Sequence, residues 1–94
     1  MKTFPLRIGS PEGVFFEGEV QRIMCRGIQG ELAVLAGHCN FCTALGTGRA
    51  RVVFADGSFR EAVCSGGLLS VLEGVCSVLA ASWQWQENVR EKQQ

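Results

Sequence analysis

The residues best suited to chemistry in this chain are His38, Cys39 and Cys42, which fall within one short stretch. A Cys-x-x-Cys beside a histidine offers soft ligands for zinc or a thiol pair for redox exchange. A structural zinc site needs four ligands, and no second paired cluster of Cys or His exists in the sequence. Cys25, Cys64 and Cys76 stand singly among apolar residues, where cysteine behaves as a small hydrophobe. A nucleophilic Cys–His pair would also need a third residue to orient the histidine, and the pattern supplies none. Gly46-Thr47-Gly48 is too short for a phosphate loop, and no Gly-Lys-Ser/Thr follows it. No pair of carboxylates is picked out by spacing. The expectation is a non-catalytic protein with no metal, no cofactor and no small-molecule substrate.

The stretch that holds these residues, GIQGELAVLAGHCNFCTAL from Gly27 to Leu45, must be positioned by the rest of the chain. At 94 residues the chain is one domain, near the size at which burial alone just suffices. Nine acidic and nine basic side chains give a net charge of zero, so the basic excess of a nucleic-acid binder is missing. Apolar residues with cysteine make up 47%, and twelve glycines raise the apolar share to about 60%, above the usual globular range. A small domain cannot hide so much apolar surface internally, which favours a protein partner over it. Five cysteines cannot all pair within the chain. With no signal peptide and no apolar run long enough to span a bilayer, reduced thiols in a cytosolic setting are expected.

The remaining elements read as short strands and tight turns. Phe4, Leu6 and Ile8 alternate with Pro5 and Arg7 as a first strand with one buried face, and Ser10-Pro11-Glu12-Gly13 supplies a turn. Two strands are expected over 14–20 and 22–26, with a bend at Gly18. Leu32-Ala33-Val34-Leu35 is apolar on both faces and is expected to be covered on both. Another strand covers 41–45, broken by Gly46-Thr47-Gly48. Arg49, Arg51 and Val53 then alternate with Ala50, Val52 and Phe54. This puts the arginines toward solvent, with a site for an acidic ligand as the lesser alternative. Asp56-Gly57 and Glu73-Gly74 are hairpin turns, and Gly66-Gly67 a corner. Together these predict an all-β fold over residues 1–82, an antiparallel β-sandwich or barrel of eight to ten short strands. Residues 83–94 form a short polar tail, a short helix or a frayed end, with Trp85 and Val89 four apart.

The order Phe15-Phe16-Glu17-Gly18-Glu19-Val20, Gly30-Glu31-Leu32, Gly37-His38, Thr43-Ala44-Leu45 and Gly48 resembles the N-terminal domain of the bacterial ATP synthase epsilon subunit. Ser65-Gly66-Gly67-Leu68-Leu69-Ser70-Val71 and Val78-Leu79-Ala80 extend the likeness, which is collinear from about Phe4 to Ala81. Each motif alone is weak, and their order and spacing together are specific. The resemblance implies a ten-stranded sandwich followed by two helices. It also implies a rotor subunit on the cytoplasmic face of the cell membrane, peripheral to it. Its partners would be the gamma subunit and the membrane c-ring, and it would couple ion-driven rotation to ATP synthesis or hydrolysis. Glu31, Gly37, His38, Cys39 and Asn40 would face the ring, and Ser10, Leu68 and Leu69 would belong to the gamma face. The family usually has Pro-Gly-His, a small residue and Pro, whereas here Ala36 precedes Gly37 and Cys39-Asn40 follow His38. Residues 83–94 would begin a truncated helical region. Nothing here matches the helices that carry the inhibitory arm, so neither ATP binding nor self-inhibition is expected. The alternatives are a stand-alone β-sandwich interaction module or a zinc or thiol protein using His38, Cys39 and Cys42.

Overall fold

The structure, a computed structural model, describes residues 2–90. Seven strands follow in order: β1 (Phe4–Ser10), β2 (Gly13–Gly27), β3 (Gly30–Leu35), β4 (Phe41–Phe54), β5 (Phe59–Leu72), β6 (Val75–Ala80) and β7 (Trp83–Arg90). Three of them are long and change partners along their length. The first part of β2 pairs with β1, while its second part pairs with β3 and β4. The first part of β5 pairs with β7 and its second part with β6, while β4 follows β5 along both. Two layers result. Sheet I runs β3–β2–β4–β5–β7 through the later parts of β2 and β4 and the early part of β5. Sheet II runs β4–β5–β6–β1–β2 through the remaining parts. Counting each half of the three long strands separately gives ten segments, within the eight to ten expected. All pairings are antiparallel except β1 with β6.

The transitions occur where the sequence allows bends, but the chain bends rather than breaks. In β2 the pairing with β4 shifts between Val20 and Arg22 and again between Met24 and Gly27, so the first of these irregularities lies at Gln21 and not at Gly18. Gln21 Nε2 donates to the Ala55 carbonyl and ties this bulge to the β4–β5 turn. In β4 the ladder with β5 continues on either side of Gly46. In β5, Gly66 and Gly67 have φ of 86° and 132°, a region that favours glycine. A Cβ on Gly67 would overlap the Leu79 carbonyl oxygen and lie 2.8 Å from Ala80 Cα. The close approach of β5 and β6 at this corner therefore depends on the missing side chain.

The core is the set of inward positions that alternation dictates. Phe4, Leu6 and Ile8 from β1 meet Val20, Ile23 and Cys25 from β2, with Val52, Ala62, Leu69, Cys76 and Val78 from the other strands. Both expected hairpins form. Gly57 donates to the Phe54 carbonyl at 3.0 Å, and Asp56 Oδ1 accepts from the Ser58 amide at 2.9 Å. Glu73 and Gly74 both have positive φ, 52° and 82°, the requirement of a two-residue turn whose twist matches its strands.

Two local expectations fail for physical reasons. Strand β3 lies in one layer of a two-layer sandwich, so only its inner face is covered: Val34 is buried while Leu35 is 51% exposed. The segment from Trp83 is not a helix or a loose end but strand β7, paired to β5 through Trp83↔Cys64 and Trp85↔Ala62. The period-two burial of Trp83 and Trp85 outweighs the four-residue spacing of Trp85 and Val89. The two indoles pack edge-on at 5.3 Å, and the Arg60 guanidinium lies 4.2 Å over the Trp85 ring. Residues 91–94 of the expected tail lie outside the described residues.

Candidate functional site

The loop that carries His38 is built around one turn. The His38 amide donates to the Leu35 carbonyl at 3.2 Å, and Gly37, with φ of 87°, supplies the left-handed residue this turn needs. The loop leads from the edge of sheet I at β3 to the edge of sheet II at β4. The His38 ring packs on Phe41 with centroids 4.7 Å apart, and its Nδ1 lies 3.1 Å from the Cys39 carbonyl oxygen. Asn40 clasps the β5–β6 hairpin: its Oδ1 accepts from the Glu73 amide at 2.9 Å, and its Nδ2 donates to Glu73 Oε2 at 3.4 Å. Asn40 is thus a clamp between two loops, a role the sequence pattern did not indicate.

Glu31 sits at the other end of β3, in register with Arg26. It shares a shallow groove with Gln29, Leu32 and the Phe41–Thr43 start of β4. Glu31, Phe41 and His38 therefore form one continuous rim along the side of the sandwich where β3 and the start of β4 meet. Gly37, His38, Cys39 and Asn40 are exposed, as is Glu31. The rim carries a carboxylate and an imidazole on its exposed surface, while the Asn40 amide is engaged with Glu73. Among the described residues, no three His, Cys, Asp or Glu side chains gather to hold a metal ion.

The cysteines divide into two classes. Cys25, Cys64 and Cys76 are buried, whereas Cys39 and Cys42 are exposed, and all five are free thiols. Burial pushes the Cys25 thiol up to about 12, with Cys64 and Cys76 nearby adding to the effect. Burial alone raises Cys76 to about 11. These thiols stay protonated and unreactive at neutral pH, since the thiolate is the nucleophile.

The outer face of sheet II carries an exposed apolar patch. Leu68 and Leu79 are cross-strand neighbours, 48% and 61% exposed, and so are Leu72 and Val75 at the hairpin end. Val14 adds a further exposed apolar side chain. Ser70, Ser77 and Gly9 lie low between these residues and leave a groove of about 510 Å³, which Ser10, Arg7 and Cys42 also line. Ser10 and Leu68, expected on one surface, are indeed brought together here. Leu69 is not part of it. Alternation along β5 turns Leu69 inward, where it is fully buried and belongs to the core. Val14, Cys42 and Leu79 are groove residues that sequence reasoning missed. Their alternation with buried neighbours was a usable signal for Leu79, opposite Leu68 across the Glu73-Gly74 turn.

Comparison with known proteins places this arrangement. Residues 3–86 match the family described as the ATP synthase, Delta/Epsilon chain, beta-sandwich domain. The chain is 34% identical over 88 residues to the sodium ion specific ATP synthase epsilon chain of Acetobacterium woodii, covering 94% of this chain and 66% of that one. It is 35% identical over 89 residues to the ATP synthase epsilon chain of Caldicellulosiruptor saccharolyticus, covering 95% and 64%. The chain therefore spans about two thirds of the length of these curated relatives. A chain in the cryo-EM structure of the Euglena gracilis mitochondrial ATP synthase, OSCP/F1/c-ring, superposes with a TM-score of 0.83 at 26% identity. That match covers 88% of this chain and 53% of that one. A chain of the Tetrahymena thermophila mitochondrial ATP synthase central stalk/c-ring shares the fold, with a TM-score of 0.72 at 15% identity, covering 87% and 66%.

Proposed function

This chain belongs to the ATP synthase delta/epsilon family through its β-sandwich domain, and on that premise we propose that it is a non-catalytic rotor subunit of the central stalk. It docks on the gamma subunit through the outer face of sheet II and rests on the c-ring through the rim at Glu31 and Gly37–Asn40. The observation that carries the first contact is the pair Leu68 and Leu79, exposed side by side beside a small-residue groove. A soluble domain rarely leaves contiguous leucines in water without a partner for them. Ser70, Ser77 and Gly9 let a partner's side chains approach the sheet closely.

The rim suits a different kind of contact. Glu31 is exposed and makes no ion pair among the described residues, so it is free to meet a basic group on the ring. Exposed pairs of this kind set orientation more than they add affinity. The Asn40–Glu73 hydrogen bonds and the Leu35–His38 turn hold the path of the loop where the family usually has prolines. The chain then acts by stiff packing between two partners, with no reaction of its own. It would be held at the cytoplasmic face of the membrane through the complex, without inserting into the bilayer. Coupling of ion flow to ATP synthesis or hydrolysis is a property of the assembly.

The test is co-expression with the gamma subunit of the same organism, comparing the native chain with Leu68→Glu/Leu79→Glu. The native chain should elute with gamma as a one-to-one complex and the double variant as a free, folded domain. Equal complex formation by both would overturn the assignment of this face.

A further inference from the structure

The opposite face of the sandwich has a different character, and apart from Glu31 at its margin with the rim the proposed rotor contacts leave it unused. Alternation along β2 between Arg22 and Arg26, and along β4 between Arg49 and Arg51, sends Arg22, Met24 and Arg26 outward beside Arg49 and Arg51. Met24 lies directly opposite Arg51, so the arginines surround a single apolar residue. The whole chain has zero net charge, yet four of its arginines occupy two adjacent strands of one sheet face.

These arginines differ in what they hold. Arg51 is committed: its Nε and Nη2 both donate to Glu61 Oε2, at 3.1 and 2.6 Å, and its guanidinium stacks 4.2 Å over Phe59. Arg49 is a distant second partner of Glu61 at 3.8 Å. Among the described residues no carboxylate pairs with Arg22 or Arg26, although Glu31 stands in register with Arg26. The Arg26 stem lies across Gly48, in the space a Cβ there would need, so its path over the sheet is set by packing. Beside Met24 lies a depression of about 210 Å³, lined also by Glu31, Arg49, Arg51 and Glu61, and Arg22 and Arg26 stand outside it.

We propose that the outer face of sheet I is a docking surface for a carboxylate-rich segment of a neighbouring protein. Arg22 and Arg26 are its free anchors, and the Arg51–Glu61 pair is its fixed centre. The planar fork of arginine matches a carboxylate with two parallel hydrogen bonds. Arg22 and Arg26 are four residues apart along one strand, about 13 Å. A partner would therefore carry acidic groups within reach of two arginines rooted that far apart, on either side of an apolar contact with Met24. Glu31 and Glu61, set among the arginines, favour such a patterned partner over a uniformly anionic lipid surface, which they would repel. The surface is also separate from the sheet II face, so its failure and that of the gamma-binding assignment are distinguishable.

The experiment titrates the isotopically labelled full chain with a short polyglutamate peptide and, separately, with phosphatidylglycerol vesicles, following amide shifts. Peptide binding should perturb β2 and β4 around Arg22–Arg26 and leave the Leu68–Leu79 face unmoved. It should weaken with added salt, and by about tenfold in Arg22→Gln/Arg26→Gln. The inference is overturned if no peptide binds or if shifts spread over both faces. An undiminished affinity in the double variant, or binding of vesicles alone, would overturn it equally. A melting curve of the variant confirms that it is folded, since both side chains are exposed.

Discussion

Replacing Gly67 with alanine should unfold this domain far more readily than the same replacement at Gly30. Both glycines have nearly the same backbone, φ of 132° and 134°, so the conformational strain of an added side chain is shared. That strain costs about 1–3 kcal/mol. Their surroundings differ completely. A Cβ at Gly30 meets nothing within 4 Å, whereas at Gly67 it would overlap the Leu79 carbonyl oxygen and lie 2.8 Å from Ala80 Cα. Both obstacles are backbone of β6, so no side chain can rotate away. Relief requires separating β5 from β6 at the corner where β5 passes from sheet I to sheet II. Forced overpacking adds about 1–3 kcal/mol, for a total near 2–6 kcal/mol at Gly67. A domain of this size loses roughly 4–8 °C of melting temperature per kcal/mol. Thermal unfolding followed by circular dichroism should place Gly67→Ala at least about 10 °C below wild type, with Gly30→Ala at an intermediate temperature. If the two variants melt together, the packing explanation for the corner is wrong. The corner also positions Leu68, so a destabilised Gly67→Ala should bind gamma poorly even below its melting point.

Other expectations follow from the same contacts. Asn40→Ala removes both hydrogen bonds to Glu73 and should cost about 1 kcal/mol, with faster amide exchange at Glu73 as the local signature. Leu69→Ala opens a cavity in the core and should cost about 2–5 kcal/mol. Leu68→Ala, one residue earlier but exposed, should change stability by less than about 0.5 kcal/mol in urea titrations. Alkaline pH should weaken the fold. The Cys25 and Cys76 thiols ionise later in the folded chain than in the unfolded one, so the unfolded state binds fewer protons above pH 9. Stability is therefore full below about pH 9. It should fall by roughly 1 kcal/mol per pH unit for each thiol as pH rises toward 11, and Cys25→Ala should flatten that slope in urea unfolding.

Much of the architecture is legible from alternation alone. Phe4, Leu6 and Ile8 announce β1, and Asp56-Gly57 and Glu73-Gly74 mark hairpins that form as expected. The bends at Gly46–Gly48 and Gly66-Gly67 are visible too, but pattern does not say whether a glycine ends a strand or lets it turn into a second sheet. That depends on partners far along the chain, such as Leu79 for Gly67. The inward turn of Leu69 was available from period two, whereas the two-leucine motif read as a unit concealed it. The fate of Trp83 and Trp85 was not legible, because polar neighbours mask a strand whose stability comes from packing on Cys64 and Ala62. The Asn40–Glu73 clamp, 33 residues apart in sequence, leaves no local trace.

The most direct measurement uses the exposed cysteine inside the proposed gamma groove. Cys42 lines that groove, Cys39 lies in the rim loop, and the other three thiols are buried. Alkylation by iodoacetamide, read by mass spectrometry with and without saturating gamma subunit, reports on each position separately. The account predicts that Cys42 and Cys39 react in the free chain and that gamma protects Cys42 while leaving Cys39 open. Unchanged alkylation of Cys42 in the presence of gamma would contradict the docking of this face on the stalk.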